Sequence, residues 1–190
     1  MSKTRLEAFT DALIAIVITI LVLELVAPQG ATFAALWDLR YKIIIYILSF
    51  ISLAIYWINH HHLFQLAKKI NGKILWLNMF FLLFLSLFPF TTAWVDEHLT
   101  KQAPEITYGL VMLGANIMYA LLARALVQEH GKDSELAEIF ADYKKIKITL
   151  AIVVAGIVLG IFVPPAMVIC CASSLVLWIV PEKRIEKKFE

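Results

Sequence analysis

The sequence predicts an all-α, polytopic membrane protein with six transmembrane helices in each subunit. Of its 190 residues, 61% are hydrophobic and only 17% are charged, whereas a soluble domain is about a quarter charged. A membrane-spanning helix needs about 20 mostly apolar residues. Six segments qualify: 8–27, 41–66, 74–95, 106–128, 146–163 and 165–180. We therefore expect residues 1–190 to form a single transmembrane domain.

Turn-forming residues separate the predicted spans. Pro28 ends the first span, and the Asn-Gly pair at 71–72 separates the second from the third. The Pro-Pro pair at 164–165 cannot continue a helix and predicts the turn between the fifth and sixth spans. The polar stretch 129–145 is the one long linker, and it could form a short surface helix. Asp11 interrupts the first apolar run and no A-x-A cleavage site follows, so we expect this segment to be retained as a span.

Basic residues are concentrated on one side of the predicted membrane. All but three of the 17 lysines and arginines fall there: Lys3, Arg5, Lys68, Lys69, Lys73, Arg124, Lys132, Lys144, Lys145, Lys147, Lys183, Arg184, Lys187 and Lys188. The positive-inside rule then places both termini in the cytoplasm of a cell-membrane protein. On the other side, Asp38, Asp96, Glu97 and Glu105 are expected to make the outer loops acidic.

Several classes of function are disfavoured by composition. The net charge of +2 is too small to indicate a nucleic-acid partner. Cys170 and Cys171 are adjacent inside an apolar segment, where they fit small packing residues and no metal-binding spacing. We expect neither a cofactor nor a structural metal.

Polar side chains gather at the predicted cytoplasmic ends of the first three spans. Arg5 and Asp11, the histidines at 60–62 and Asn78 should lie at similar depth. One interpretation is a structural network in which these groups satisfy one another. Histidine also keeps pH sensing open. A metal site is a third alternative, but consecutive histidines on a helix point about 100° apart and do not converge on one ion.

The first span has one aliphatic face with a single hydroxyl. At about 100° per residue, Ile16, Thr19, Ile20 and Leu23 lie within about 60° of Ile16, whereas Asp11 lies about 140° away. Such a face usually contacts lipid or a neighbouring helix. The alternative is that symmetry-related copies of this helix line a narrow pore, because hydrophobic constrictions gate by dewetting and hydroxyls can replace part of an ion's hydration shell.

Three blocks of residues carry a family resemblance. Arg5-x-x-x-Phe9-Thr10-Asp11, followed by Ala-Leu-Ile-Ala-Ile-Val-Ile-Thr, resembles the R-x-x-x-F-S/T-D signature of the endolysosomal potassium channel family (transmembrane protein 175 type), specifically its prokaryotic members. The segment from Trp57 through His60 and His61 to Phe64 is similar to the family's W-x-x-H-H-x-x-F block. Residues 78–91 are similar to its third-span block. These blocks cover roughly the first half of the chain.

The resemblance implies a homotetramer of six-span subunits without the P-loop of ordinary potassium channels. It implies a pore lined by the first helices, with a constriction at Ile16, a hydroxyl level at Thr19 and a hydrophobic level at Leu23. Potassium would be conducted near these residues, with weak preference over sodium. A structural polar network is implied for the following residues: Arg5, Phe9, Thr10, Asp11, Trp57, His60, His61 and Asn78. The expected partners are copies of the chain, membrane lipids and monovalent cations.

Two other classes of function compete with a channel. A proton-coupled secondary transporter is favoured by the Asp and His cluster, but the chain shows neither a visible repeat nor broken helices at the midplane. An intramembrane enzyme would need a nucleophile–base pair or a metal triad at one depth, and the histidines have no convincing partner set. We therefore expect no enzymatic activity.

Overall fold

The computed structural model of the chain describes residues 2–131, 133–140 and 144–179, and the regular structure of these residues is entirely α-helical. In chain order the helices are α1 Lys3–Leu23, α2 Phe33–Asp38, α3 Arg40–Leu66, α4 Gly72–Ser86, α5 Phe88–Glu97, α6 Gln102–His130, α7 Glu135–Phe140, α8 Lys144–Gly160 and α9 Ala166–Ile179. The short helix α7 lies in the polar stretch 129–145. Helix α2 has no counterpart among the predicted elements.

Within the described residues, four helical stretches are long and apolar enough to cross a membrane. They are α1, α3, α4 continued by α5, and α6, and they contain or overlap the first four predicted spans. The fifth and sixth predicted spans fall on α8 and α9, which have 17 and 14 described residues. Residue 180, the last of the predicted sixth span, lies outside the described residues.

Local capping explains where α1 begins. The helix starts at Lys3 rather than at residue 8, because the Ser2 hydroxyl oxygen accepts a hydrogen bond from the Arg5 backbone N–H at 3.4 Å. Such a cap satisfies one of the N–H groups that a helix start leaves unpaired. The helix therefore carries the Arg5 signature block as well as the apolar run.

The predicted third span is interrupted at Leu87. Pro89 stands in the first turn of α5, where its missing N–H costs little but its ring cannot follow a continuous helix. The Leu87 N–H bonds instead to the carbonyl of Phe84, three residues back, at 3.2 Å. The regular α-helical hydrogen bonding is therefore interrupted between α4 and α5.

The helices pack in two groups that share α4 and α5. Helix α1 packs against α3, α4 and α5, whereas α6 packs against α4, α5, α8 and α9. Helices α4 and α6 approach closely at Gly114 of α6, where a β-carbon would collide with the ring of Phe84 on α4. A larger residue at this position would therefore force the Phe84 ring to move.

The N-termini of α1 and α4 and the C-termini of α3 and α6 lie at the same end of the helical bundle. Contacts between the α3–α4 loop and α6, and between α1 and α3, establish this level. We call it the basic end, because it carries the lysines and arginines that flank these segments. Among the predicted cytoplasmic cations, Lys132, Lys183, Arg184, Lys187 and Lys188 lie outside the described residues.

Candidate functional site

Helix α1 has one buried and one exposed face within a single subunit. Its buried residues are Leu6, Thr10, Ile14, Val17 and Leu21. On the opposite face the exposed fractions are 59% for Ile16, 42% for Ile20 and 72% for Leu23, and Thr19 is also exposed. The subunit thus leaves uncovered the four residues that the helical periodicity groups together.

Thr19 is oriented by its own helix. Its hydroxyl donates a hydrogen bond to the carbonyl oxygen of Ala15 at 2.8 Å. A hydroxyl oxygen keeps two lone pairs when its proton is used in this way. Thr19 therefore presents acceptor oxygen to whatever lies against this face, which suits a cation and disfavours an anion.

Small residues border the same face. Ala8, Ala12 and Ala15 are exposed in the subunit and lie about 40–100° from Ile16 around the helix. Small side chains allow helices to approach closely in membranes. The face therefore combines bulky aliphatic side chains with a strip on which another helix can pack.

A buried hydrogen-bonded chain fastens α1 to α3 and α4 at the basic end. The Nδ2 amide of Asn78 donates to the Thr10 hydroxyl oxygen at 2.9 Å. The Asn78 amide oxygen lies 2.8 Å from Nε2 of His60, so His60 must be the donor there. All three residues are at least 98% buried. The His60 ring also stacks on Phe64, with centroids 4.3 Å apart.

A second contact joins α1 to α3 at the edge of its exposed face. The indole N–H of Trp57 donates to a carboxylate oxygen of Asp11 at 2.9 Å. The His61 ring stacks on the Trp57 indole, with centroids 5.8 Å apart and an interplanar angle of 21°. Asp11, Trp57 and His61 are exposed within the subunit, so this contact is separate from the buried chain through Asn78.

Arg5 and Phe9 are not joined to these contacts within the subunit. The Arg5 guanidinium is exposed, and it has no side-chain partner among the described residues. Phe9 is 48% exposed and lines a shallow apolar groove with Leu75, Trp76 and Met79 of α4. The network predicted as one unit is therefore two contacts, one buried and one exposed, with Arg5 and Phe9 beside them.

The three consecutive histidines point in different directions. His60 is buried, His61 is exposed on Trp57, and the His61 and His62 rings are inclined by 52°. Within residues 2–131, 133–140 and 144–179, no group of three His, Cys, Asp or Glu side chains could hold a metal ion.

The expectation that Glu105 belongs to an acidic outer loop is wrong. Glu105 lies in the first turn of α6 and is fully buried. Its carboxylate accepts a hydrogen bond from the Val168 N–H at the start of α9, at 3.2 Å. Carboxylates are favoured at helix starts, where N–H groups lack partners, and Glu105 stands at two such starts. Asp96 also lies in a helix, α5, where Lys42 approaches it to 3.2 Å.

Sequence reasoning also missed a buried hydroxyl cluster. The Thr92 hydroxyl donates to Ser49 at 2.7 Å, and Ser49 lies 3.1 Å from the Tyr108 hydroxyl. These residues join α5, α3 and α6. Single hydroxyls in apolar spans are the signal for such a cluster, but their partners depend on how the helices cross.

The chain is similar to a known family and to several known channels. The family model described as endosomal/lysosomal potassium channel TMEM175 matches residues 5–89. A potassium channel of Chryseobacterium sp. (strain P1-3) is 40% identical over 190 residues, which are 100% of this chain and 99% of that protein. A potassium channel of Chamaesiphon minutus is 34% identical over 127 residues, covering 60% of this chain and 61% of that one.

The fold has a solved counterpart. The crystal structure of a lysosomal potassium-selective channel TMEM175 homolog from Chamaesiphon minutus superposes with a TM-score of 0.80. It covers 93% of this chain and 96% of its own, at 24% identity. The region that the family model matches contains α1 from Arg5 onward, the Trp57 and His60 segment and Asn78. The chain belongs to the TMEM175 family of potassium channels.

Proposed function

We propose that four copies of the chain form a potassium-permeable cation channel whose pore is lined by α1. The observation that carries this proposal is the exposed face of α1, where bulky aliphatic side chains surround one hydroxyl. One subunit exposes this face without enclosing a path, so a pore requires further copies around a closed symmetry axis. The relatives named as potassium channels support the choice of ion.

Ile16 and Leu23 would form two hydrophobic levels of the pore. They are separated by about 10 Å along the helix, with Thr19 about 4.5 Å from Ile16. A hydrophobic ring resists wetting and can act as a gate. Ile20, at the edge of the same face, would complete the wall between these levels.

Thr19 would supply the only side-chain oxygens on this face. In a tetramer, four Thr19 hydroxyl oxygens would face the pore and could replace part of the water around a cation. Their lone pairs are available because each hydroxyl proton is donated to the Ala15 carbonyl oxygen. One such ring offers far fewer oxygens than a filter built from successive carbonyl rings. We therefore propose weak selectivity for potassium over sodium, with no cofactor beyond the permeant ion.

The contacts at the basic end would hold the pore helix in place. Thr10 and Asp11 attach α1 to α3 and α4, on sides that face away from Ile16. The positive-inside rule supports a cytoplasmic location for the basic end and both termini, with α8 and α9 completing six spans in the cell membrane. Exposed aliphatic side chains on these two helices, such as Val158 and Ile169, are suited to contact with lipid.

A proton-coupled transporter is the second candidate, and the interruption at Leu87 favours it. Transporters often bind substrates where helices break at the midplane. Here, however, Phe88 and Pro89 beside the break are buried, and the Leu87 carbonyl oxygen accepts a hydrogen bond from the Thr91 N–H at 3.1 Å. The residues beside the interruption are therefore buried, the Leu87 carbonyl is hydrogen-bonded, and α1 is continuous.

Ion flux in liposomes separates the two candidates. The purified chain is reconstituted with a potassium gradient, and potassium, sodium and proton movements are recorded separately against protein-free liposomes. A channel passes potassium down its gradient, saturates weakly and shows a larger flux for potassium than for sodium. A fixed ratio of protons to potassium, maintained when the electrical potential is varied, would instead establish a transporter.

A further inference from the structure

The imidazole of His130 joins two parts of the subunit at the basic end. His130 is the last residue of α6, and Gly131 follows with φ of 85°. Nε2 of the ring lies 2.8 Å from the backbone nitrogen of Lys68 and 3.1 Å from that of Lys69. Nδ1 lies 2.8 Å from the carbonyl oxygen of Leu126. The ring thus bridges the end of α6 and the α3–α4 loop.

These contacts define the protonation state of the ring. A backbone N–H can only donate, so Nε2 must present its lone pair to Lys68 and Lys69. The single ring proton is then on Nδ1, which donates to Leu126. A second proton would be bound to Nε2, which would then be a donor facing two other donors, the N–H groups of Lys68 and Lys69. The neutral ring holds the loop, and the imidazolium does not.

The protonated ring can remain at the C-terminal end of α6. Its Nδ1–H remains bonded to Leu126, and a cation at the C-terminal end of a helix is favoured by the helix dipole. The ring is partly exposed, so water and protons can reach it. Protonation therefore changes only which groups the ring holds, and it leaves α6 intact.

Charged residues of both signs occur in the segments that meet at this junction. The α3–α4 side carries Lys68, Lys69 and Lys73, and α6 carries Arg124 and Glu129. The segment after α6 carries Asp133, Glu135 and Glu138. Glu129 is engaged with the loop itself, because the Asn71 side-chain amide donates to it at 2.5 Å.

The loop that His130 holds connects the two helices that fasten α1. Residues 67–71 run from the end of α3 to the start of α4, and Asn71 caps α4 by accepting from the Ile74 N–H at 3.0 Å. Above the loop, α3 carries His60 and Trp57, and α4 carries Asn78. A change in the loop can therefore alter the hold of both helices on α1.

We propose that His130 is a proton-binding site at the basic end and that its protonation releases the backbone of residues 68–69. This release would regulate ion flow through the pore that the α1 helices line. The regulatory half of the proposal rests on the proposed channel function. The site is distinct from the His60–Asn78 contact, which lies within the bundle and has no bond to the loop backbone.

We call the hydrogen bonds from the Lys68 and Lys69 N–H groups to His130 the clamp. Nuclear magnetic resonance tests the clamp independently of ion flow. The full chain, labelled with ¹⁵N and placed in lipid nanodiscs, is compared at about pH 7.5 and about pH 5.5. At the higher pH, His130 should be protonated on Nδ1 and bare on Nε2. At the lower pH, the Lys68 and Lys69 amides should lose about tenfold of their protection from exchange, after correction for intrinsic rates.

Two variants complete the structural test. His130→Gln offers a neutral amide oxygen to the same N–H groups, so amide protection should no longer depend on pH. Glu129→Gln keeps an acceptor for Asn71 and should retain the pH response. A His130 ring protonated on Nε2 at neutral pH, or equal pH responses in the wild type and His130→Gln, would overturn the clamp.

Potassium flux at the same two pH values tests the regulation. Flux through the wild type and Glu129→Gln should change by at least about fivefold when the basic end is acidified, and flux through His130→Gln should not. Potassium flux with the same pH dependence in all three proteins would refute regulation by His130. Absence of flux at every pH would count against the channel, while the resonance data would still decide the clamp.

Discussion

The indole N–H of Trp57 and the carboxylate of Asp11 are 2.9 Å apart and join α1 to α3 beside the exposed face of α1. A formal charge so close to an apolar span is costly unless it has a partner. The indole provides that partner without a second charge. Because Asp11 lies about 140° from Ile16 around the helix, the pair can hold α1 while the carboxylate stays away from the proposed pore axis.

Replacing Asp11 tests this separation of support from conduction. Asp11→Ala leaves the Trp57 N–H without its acceptor, and the free energy of unfolding should fall by about 1.5 kcal/mol. Asp11→Asn keeps an acceptor oxygen and should lose less. Thermal unfolding measures both, and the potassium-to-sodium permeability ratio should stay near the wild-type value. Normal assembly with an altered ratio would place the carboxylate in the conduction path.

Asn78 should be more sensitive than Asp11, because both of its bonds are buried. Asn78→Leu removes the partner of Thr10 and of His60 together, and we expect a loss of about 2–4 kcal/mol. Asn59→Leu is the matched control, because the Asn59 amide donates to the Ile55 carbonyl of its own helix rather than to another helix of the described part of the chain. Equal losses in the two variants, measured by unfolding in the same lipid, would show that the buried chain contributes nothing specific.

The sequence was sufficient to predict which residues share a face of α1, but not which side chains form hydrogen bonds between helices. Helical periodicity alone puts Ile16 and Leu23 on one face of α1, since that inference needs only the angle per residue. The assignment of Asn78 to Thr10 and of Trp57 to Asp11 depends on how α1, α3 and α4 cross. The burial of Glu105 was missed for the same reason, because the start of α9 that receives it is distant in sequence.

Cysteine crosslinking tests whether α1 helices face one another. In a Cys170→Ala, Cys171→Ala background, Ile16→Cys should give disulfide-linked dimers under mild oxidation, because each thiol can pair only once. Native mass spectrometry of the same sample should show four subunits. Ile169→Cys, on an exposed position of α9, is the control and should remain uncrosslinked. A monodisperse monomer in both detergent and lipid would contradict the tetramer.

The Thr19 hydroxyl should contribute to ion discrimination. Thr19→Val retains the shape of the side chain and removes four oxygens from the proposed pore, so the potassium-to-sodium permeability ratio should fall. Thr107→Val is a matched control, because the hydroxyl of each threonine donates to the carbonyl oxygen four residues back at 2.8 Å. Reversal potentials under bi-ionic conditions measure the ratio. An unchanged value in Thr19→Val would place selectivity at another level of the pore.

Ile16 gives the most direct test of a hydrophobic constriction. Ile16→Asn should wet the narrow level and raise potassium current by about tenfold, because the dewetting barrier is lost. Val158→Asn, on an exposed position of α8, introduces the same amide where lipid contact is proposed. It should reduce the amount of folded protein and leave the conductance of each channel unchanged. Single-channel recording separates conductance from protein amount, and an unaltered conductance in well-folded Ile16→Asn would remove Ile16 from the pore.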